Sequence, residues 1–344
     1  MALGIFGLLL MIWALGRRLE WSKTKVWGLM SVIYSGALGL QFAHPEGNPA
    51  PWAMVGGLAA MVWVYGFGLS RLKARVAPEP APPPQGTFGV TELERYARHI
   101  VLRELGGPGQ KKLKNAKVLV IGAGGLGSPV LMYLAAAGVG TIGVVDDDLV
   151  DHSNLQRQVI HRDETIGTAK VHSATEAMRA LNPYVHLRPY QRRLTPDIAT
   201  ELFAEYDVII DGTDNFATRY LSNAAAVALK KPLVSGALAQ WEGQLSVFDP
   251  ARGGPCYQCI FPTAPSEGLA PSCAEAGVVA PLPGIIGSMM ALEAVKLITG
   301  AGHILRGEML IYDGLYGESR KITLAVREEC PLCQTQKSLK KETL

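Results

Sequence analysis

Apolar and polar positions from Lys117 to Asp148 fall into four blocks. Val118–Ile121 is an unbroken apolar run, Gly122, Gly124, Gly125 and Gly127 follow within six residues, Ser128–Ala137 returns to apolar and small side chains, and a second apolar run ends at Asp146. An unbroken run of that length suits a strand covered on both faces. The glycines allow a tight turn whose backbone a phosphate can approach, and the helix that follows turns its first N–H groups and positive dipole end toward that phosphate. Asp146, closing the second strand, can accept hydrogen bonds from ribose hydroxyls. The block predicts strand, glycine turn, helix, strand and a nucleotide site. Its glycine spacing also satisfies the common dinucleotide fingerprint, so a nicotinamide-dependent oxidoreductase stays open on this stretch alone.

Periodicity extends the same rhythm downstream. It predicts helices near 168–181, 195–204 and 216–229, with strands near 185–191, 207–211 and Leu233–Ala237 between them. Further strands are expected at Trp241–Phe248, Glu308–Asp313 and Ile322–Val326, with a helix at Gly284–Thr299. Upstream, Thr91-Glu92-Leu93-Glu94 reads as a capping box, opening a helix with an apolar stripe of Leu93, Tyr96, Ala97, Ile100, Val101 and Leu105. Arg98 points off that stripe. The expected fold class is α/β, a doubly wound Rossmann-like sheet.

The front of the chain follows another pattern. Ala2–Gly16, Val26–Ala43 and Pro51–Ser70 carry no Lys, Arg, Asp or Glu. The last two approach the length that crosses a bilayer, and the first is short for it. A cleaved signal peptide needs positive charge ahead of its apolar core, whereas Arg17 and Arg18 follow it. A soluble helical hairpin is the competing reading. Arg17, Arg18, Lys23 and Lys25 lie between the first two stretches, and Arg71, Lys73 and Arg75 follow the third. By the positive-inside rule this predicts a multi-pass anchor in the cytoplasmic membrane, with the large domain facing the cytoplasm. Ala77–Gln85, APEPAPPPQ, is a proline-rich spacer. The expected organisation is therefore a membrane anchor of about three transmembrane helices over residues 1–75, a linker over 76–87, and a catalytic domain over 88–344.

Charge and cysteine usage sharpen this. The net charge is +3, of which residues 1–75 supply +5, so the remainder is slightly acidic and gives no support for a nucleic-acid partner. Four of the five cysteines form two CxxC pairs, Cys256/Cys259 and Cys330/Cys333. Four thiolates complete a closed tetrahedral zinc site, and about seventy residues between the pairs make the role structural, tying the tail to the domain. Cys273 is left over in the Pro-, Gly- and Ser-rich stretch 262–281, as a nucleophile on a loop or a small buried hydrophobe.

The remaining chemistry sits at strand ends. Asp211-Gly-Thr-Asp214-Asn215 closes a strand on the edge where ligands of doubly wound sheets bind, and a carboxylate there can hold Mg²⁺ against phosphates. Ser153-Asn154-Leu155-Gln156-Arg157 and Lys170 follow the second strand and can bring polar and cationic groups to a triphosphate.

Taken together, Arg95-Tyr-Ala-Arg98, GAGGLGSP (122–129), VVDDD (144–148, with Asp146 and Asp148), SNLQRQ (153–158), Lys170, DGTDN (211–215), SGA (235–237), CYQC, SCAEAGV (272–278) and CPLC resemble, in order, the ThiF/MoeB/HesA adenylyltransferases, bacterial relatives of ubiquitin-activating enzymes. The resemblance spans about residues 91–334 and leaves out 1–85. It implies ATP- and Mg²⁺-dependent adenylation of the carboxyl-terminal glycine of a small ubiquitin-like sulfur carrier (ThiS/MoaD-like, ending Gly-Gly). It further implies that the residues around Gly125 approach the phosphates, Asp146 holds the ribose, Asn154, Gln156, Arg157 and Lys170 contact ATP, and Asp214 coordinates Mg²⁺. Arg98 would reach into a partner subunit's site, implying a homodimer. Cys273 matches a loop cysteine that only some relatives use. Eleven residues follow Cys333, so a separate sulfur donor is expected. Arg157, Lys170 and Asp214 crowd charge where a nicotinamide would lie, and a non-catalytic membrane scaffold has no use for a magnesium carboxylate.

Overall fold

The structure, a computed structural model, describes Met11, Leu15 and residues 23–43, 50–75, 88–265 and 276–333. The chain forms two compact units, Met1–Ala81 and Pro82–Leu344. In the first, α1 spans Lys23–Ala43 and α2 spans Ala50–Arg75. Within α2, Ala50–Gly68 is long and apolar enough to cross a membrane by length and composition, whereas the apolar part of α1, Gly28–Leu40, is shorter. Nearly all of the first apolar stretch and the whole linker lie outside the described residues.

In the second unit, helices α3 (Val90–Ile100) and α4 (Gly106–Asn115) precede the sheet. Then follow β1 (Lys117–Ile121), α5 (Gly127–Ala137), β2 (Thr141–Val145), α6 (Lys170–Leu181), β3 (His186–Tyr190), α7 (Pro196–Ala204), β4 (Val208–Asp211), α8 (Phe216–Ala228) and β5 (Leu233–Ala239). Strand β6 is Glu242–Phe248, the one-turn α9 is Tyr257–Ile260, α10 is Pro281–Thr299, and β7 and β8 are Glu308–Asp313 and Glu318–Thr323. The strand order is β3-β2-β1-β4-β5-β6-β7-β8. The first five are parallel and the last three antiparallel. This is the doubly wound sheet expected, widened by an antiparallel extension. The order reverses between β1 and β4, which opens a crevice at their carboxyl ends.

The sheet is covered on both faces, which is why Val118–Ile121 of β1 and Val208–Ile210 of β4 are apolar without a break. Val118 and Val120 of β1 pack with Val130, Leu134, Ile286 and Met290 on one face. Leu119 and Ile121 pack with Leu202, Phe203 and Tyr206 on the other. Helix α10 passes the same length-and-composition test as α2, but half of it is buried here. It is a core helix.

Three local expectations need correction. Helix α3 is capped at Gly89 rather than Thr91: the Gly89 N–H donates to Glu92 Oε2 at 3.0 Å, because Glu92 already points inward to meet Lys114. The helix is rotated to match. Glu92 and Tyr96 are buried, while Val90, Leu93 and Val101 are exposed. Tyr96 fixes this rotation by accepting a 2.8 Å hydrogen bond from Asn182 Nδ2. The final strand is Glu318–Thr323 rather than 322–326; it is exposed at every position and pairs on one side only, with β7. Helix α4 has no counterpart in the periodicity.

Candidate active site

The crevice at the carboxyl ends of β1, β2 and β4 holds a cleft of about 950 Å³. Its floor is the turn after β1. Gly122 has φ +92°, and Gly127 lies so near the Gly122 carbonyl that any side chain would collide with it. The turn is braced from two sides. Ala123 N–H donates to Asp146 Oδ2 at 2.7 Å, and His161 Nε2 lies 2.9 Å from the Ala123 carbonyl oxygen. A carbonyl can only accept, so neutral His161 carries its proton on Nε2 and accepts at Nδ1 from Ser173 Oγ, 2.9 Å away. Burial holds His161 below the usual imidazole value. Burial likewise raises the Asp146 carboxyl, against the opposing effect of the Ala123 and Asp148 N–H groups.

Gly122, Gly124, Gly125, Asp146, Asp148 and Asn154 line the cleft, with Arg157, Lys170, Asp214 and Asn215. The sequence-expected site is thus largely brought together. Lys170 is buried and pairs with the exposed Asp148 carboxylate at 2.7 Å. Asn215 caps α8, its Oδ1 accepting from Thr218 N–H at 2.9 Å. Asp214 is exposed in the cleft and makes no hydrogen bond among the described residues.

Gln156 departs from the expectation. It is exposed and does not line the cleft, nor do Ser153 and Leu155. The segment turns helically here, with the Arg157 and Gln158 N–H groups both donating to the Asn154 carbonyl. Asn154, Arg157 and Gln158 therefore share one face at i, i+3 and i+4. Asn154 Oδ1 accepts from Arg157 at 3.0 Å and from Gln158 at 3.1 Å. Ser153 instead bonds Asp151, through its N–H at 2.9 Å and its hydroxyl at 2.5 Å. Asp147, Gln158, Arg192, Arg193 and Arg219 also line the cleft, unforeseen. Arg98 is exposed on α3 and does not line this cleft, and Cys273 lies outside the described residues.

The residues fit a nucleoside triphosphate with a divalent cation. The glycine turn leaves the backbone uncovered, since a Cβ built on Gly124 comes no nearer than 3.7 Å to a neighbour. Cationic side chains flank it, and one carboxylate is unengaged at the β4 end.

Away from the cleft, Cys256, Cys259, Cys330 and Cys333 are buried together beside Val227, their sulfurs within 4.8 Å of one another. Sulfur separations of 3.8, 3.6 and 3.4 Å match the edge of about 3.8 Å that a tetrahedron with 2.3 Å zinc–sulfur bonds requires. The cluster can hold a metal ion. Burial and the neighbouring Cys259 push the Cys256 thiol up to about 12. Burial would raise Cys330 too, but backbone N–H groups of Cys333 and Leu332 bring it to about 7.

Fold and cleft together define a nucleotide-binding protein of the doubly wound α/β class. Residues 96–333 match the ThiF family, and the chain belongs to it. It is 52% identical over 248 residues to the probable adenylyltransferase/sulfurtransferase MoeZ of Mycobacterium tuberculosis, covering 71% of this chain and 63% of that protein. It is 50% identical over 246 residues to the sulfur carrier protein adenylyltransferase of Thermus thermophilus, covering 70% of this chain and 91% of the relative. The SAMP-activating enzyme E1 of Haloferax volcanii is 45% identical over 247 residues, covering 72% and 91%. Among solved structures, PaaA superposes with a TM-score of 0.61 at 21% identity over 83% of this chain and 89% of that one. Escherichia coli MccB with ATP gives 0.61 at 20% identity over 73% and 77%. At these identities the two structures share the fold.

Proposed function

We propose that the chain is an ATP-dependent adenylyltransferase acting on the carboxyl-terminal glycine of a small ubiquitin-like sulfur carrier. The observation that carries this is the convergence on one cleft of the glycine turn, Arg157, Lys170 and the unengaged Asp214. The relatives named as sulfur carrier protein adenylyltransferase and SAMP-activating enzyme support the same substrate class. In the reaction a carrier carboxylate oxygen forms a bond to the α-phosphorus of ATP, the α–β bridging bond breaks, and pyrophosphate leaves. The substrate carboxylate is itself the nucleophile, so no protein base is required. The task of the chain is positioning and stabilisation of spreading phosphate charge. Gly122–Gly127 and the first turn of α5 receive the phosphates, Arg157 and Lys170 face their charge, and Asp146 receives the ribose. Asp214 would hold Mg²⁺, which supplies electrostatic stabilisation of the pyrophosphate leaving group.

Around this centre the reading extends. The cysteine cluster holds structural zinc. The exposed α3 residues Val90, Leu93 and Val101, beside exposed Arg98, support a homodimer in which Arg98 enters the partner's cleft. Exposed Met54, Met61, Val62 and Trp63 on α2, with the flanking charges, support insertion in the cytoplasmic membrane with the catalytic domain on the cytoplasmic side.

The test is ATP–pyrophosphate exchange by the full chain in detergent, with each small Gly-Gly-ending protein of the source genome added in turn. Exchange that appears with one carrier, and is lost when its last glycine is deleted or when Asp214 is replaced by Asn, is the expected result. ATP binding without exchange for any carrier would overturn the substrate assignment.

A further inference from the structure

Arg219 lies one turn into α8, and like Lys170 its side chain is a buried cation lining the cleft, 6% exposed. Its guanidinium spans the turn after β4 and the middle of β5. Nη1 donates to Ser235 Oγ at 3.3 Å, while Nη2 donates to the carbonyl of Gly236 at 2.8 Å and to the carbonyl of Thr213. Ser235 and Gly236 belong to β5, and Thr213 belongs to the turn after β4 that carries Asp214. These are two walls of one cleft, joined by one side chain. The same turn is gripped from below by Asp211, whose Oδ1 accepts from Thr213 N–H at 2.9 Å and from the Thr213 hydroxyl at 2.6 Å. Asp211 Oδ2 is buried and has no hydrogen-bond partner among the described residues. Tyr257 stands beside both charges, its hydroxyl pushed up to about 12 by burial and pulled back by Arg219.

No carboxylate forms an ion pair with Arg219 among the described residues, so the charge rests on neutral oxygens. A contact needed only for packing is served as well by apolar side chains, without the cost of desolvating a cation. What an apolar side chain cannot do is hold two carbonyls and a hydroxyl at fixed spacing, which a planar fork of donors does. Lysine keeps the charge but offers a single donor nitrogen.

We propose that Arg219 is a positioning residue for the phosphate side of the cleft: it locks the Asp214 turn to the middle of β5, so that the Asp214 carboxylate stands where a divalent cation on the triphosphate meets it. This rests on the nucleotide-activation reading above and adds a residue that acts through Asp214 rather than on substrate.

The test is binding of a fluorescent ATP analogue to the full chain in detergent, titrated with and without Mg²⁺. Metal-free binding reports the glycine turn, Arg157 and Lys170. The gain in affinity on adding Mg²⁺ reports Asp214. Arg219→Lys is expected to keep metal-free affinity within about twofold of wild type while needing at least tenfold more Mg²⁺ for half of the gain, and Asp214→Asn is expected to lose the gain altogether. Arg219→Ala is expected to behave like Arg219→Lys and to recover part of the gain with millimolar guanidinium. Ser235→Ala, which removes one acceptor, is expected to raise the Mg²⁺ requirement twofold to threefold. An Arg219→Lys chain with the wild-type Mg²⁺ response overturns the proposal. So does a parallel loss of metal-free affinity and denaturation midpoint, which is what a packing role produces. If the Arg219 variants do not fold, an unchanged Mg²⁺ response in Ser235→Ala overturns it. A wild-type chain that binds the analogue with no gain from Mg²⁺ overturns the nucleotide-activation reading together with the proposal.

Discussion

His161 and Ala123, thirty-eight positions apart, meet at 2.9 Å between an imidazole nitrogen and the carbonyl of the glycine turn. The contact holds the carbonyl of the residue whose N–H donates to Asp146, and it does so with a titratable group. Burial disfavours the charged imidazole, and the nearby Lys170 ammonium disfavours it further. In the unfolded chain the group returns to about 6.5. The unfolded state therefore binds more protons as pH falls below that value. Stability from this site is fully present above about 6.5 and is lost as pH falls toward the lower folded value. Denaturation midpoints measured from pH 5 to 8 should decline on the acid side, and His161→Gln, which keeps a donor for Ala123 without the titration, should flatten that decline. An unchanged slope in the variant would assign the acid sensitivity to other groups.

The buried pair of Glu92 and Lys114 gives a second expectation. The two meet at 2.6 Å with both side chains under 8% exposed, and Lys114 also lies 4.7 Å over the Phe88 ring. Removing one partner leaves a buried charge without its counter-ion, which typically costs about 3–5 kcal/mol, whereas removing both with apolar replacements is often near neutral. Glu92→Gln should therefore lower urea stability strongly, and the double variant Glu92→Leu/Lys114→Met should recover most of the loss. A double variant as weak as the single one would show that the pair does more than cancel its own burial.

The contrast between α3 and the cleft shows what the sequence made legible. The glycine turn, Asp146, Lys170 and Asp214 could be read because strand ends and turns tie residue type to backbone geometry over a few positions. The rotation of α3 could not, because Leu93, Ala97 and Val101 complete an apolar stripe around Tyr96 that a buried Glu92 does not, and only the tertiary partners Lys114 and Asn182 turn the helix to bury Glu92 with Tyr96 instead. Helix α4 begins Gly106-Gly107-Pro108-Gly109, which reads as a turn. It is held as a helix by its surroundings, Gln110 donating to the Ala137 carbonyl at 2.8 Å and Leu113 being fully buried. Arg219 carries no local signal for the same reason, since its acceptors lie in another turn and another strand. Periodicity places the final strand late, at 322–326 rather than 318–323, because the charged start of an edge strand pairs through backbone alone and leaves no apolar alternation to read. The shift from Gln156 to Gln158 is a matter of helical phase, which a motif does not state.

Metal at the four cysteines should be separable from activity at the cleft. One zinc per chain is expected by elemental analysis of the full chain. Cys330→Ser should reduce it and lower the thermal midpoint, because the ligand pair at 330 and 333 ties the chain end to α9. Asp214→Asn should leave both unchanged. Metal loss in the Asp214 variant would mean that the two sites are coupled, and an undiminished midpoint in Cys330→Ser would mean that the cluster carries no fold stability.

The dimer reading makes a demand on stoichiometry that a monomer does not. Arg98 is exposed and lies outside its own chain's cleft, whereas Asp214 lines it. If Arg98 completes the partner's site, an Arg98→Ala chain and an Asp214→Asn chain are each inactive alone, yet their mixed dimer holds one site with both groups intact. A two-fold dimer re-formed at random from equal amounts would place about a quarter of all sites in that complete arrangement. Pyrophosphate exchange should therefore return to roughly that share of the wild-type rate after subunit exchange, followed in parallel by energy transfer between differently labelled chains. Confirmed exchange without recovered activity would place Arg98 within its own chain's work or outside the reaction. Recovery that tracks the mixed-dimer fraction would tie the exposed arginine of α3 to chemistry in the other subunit.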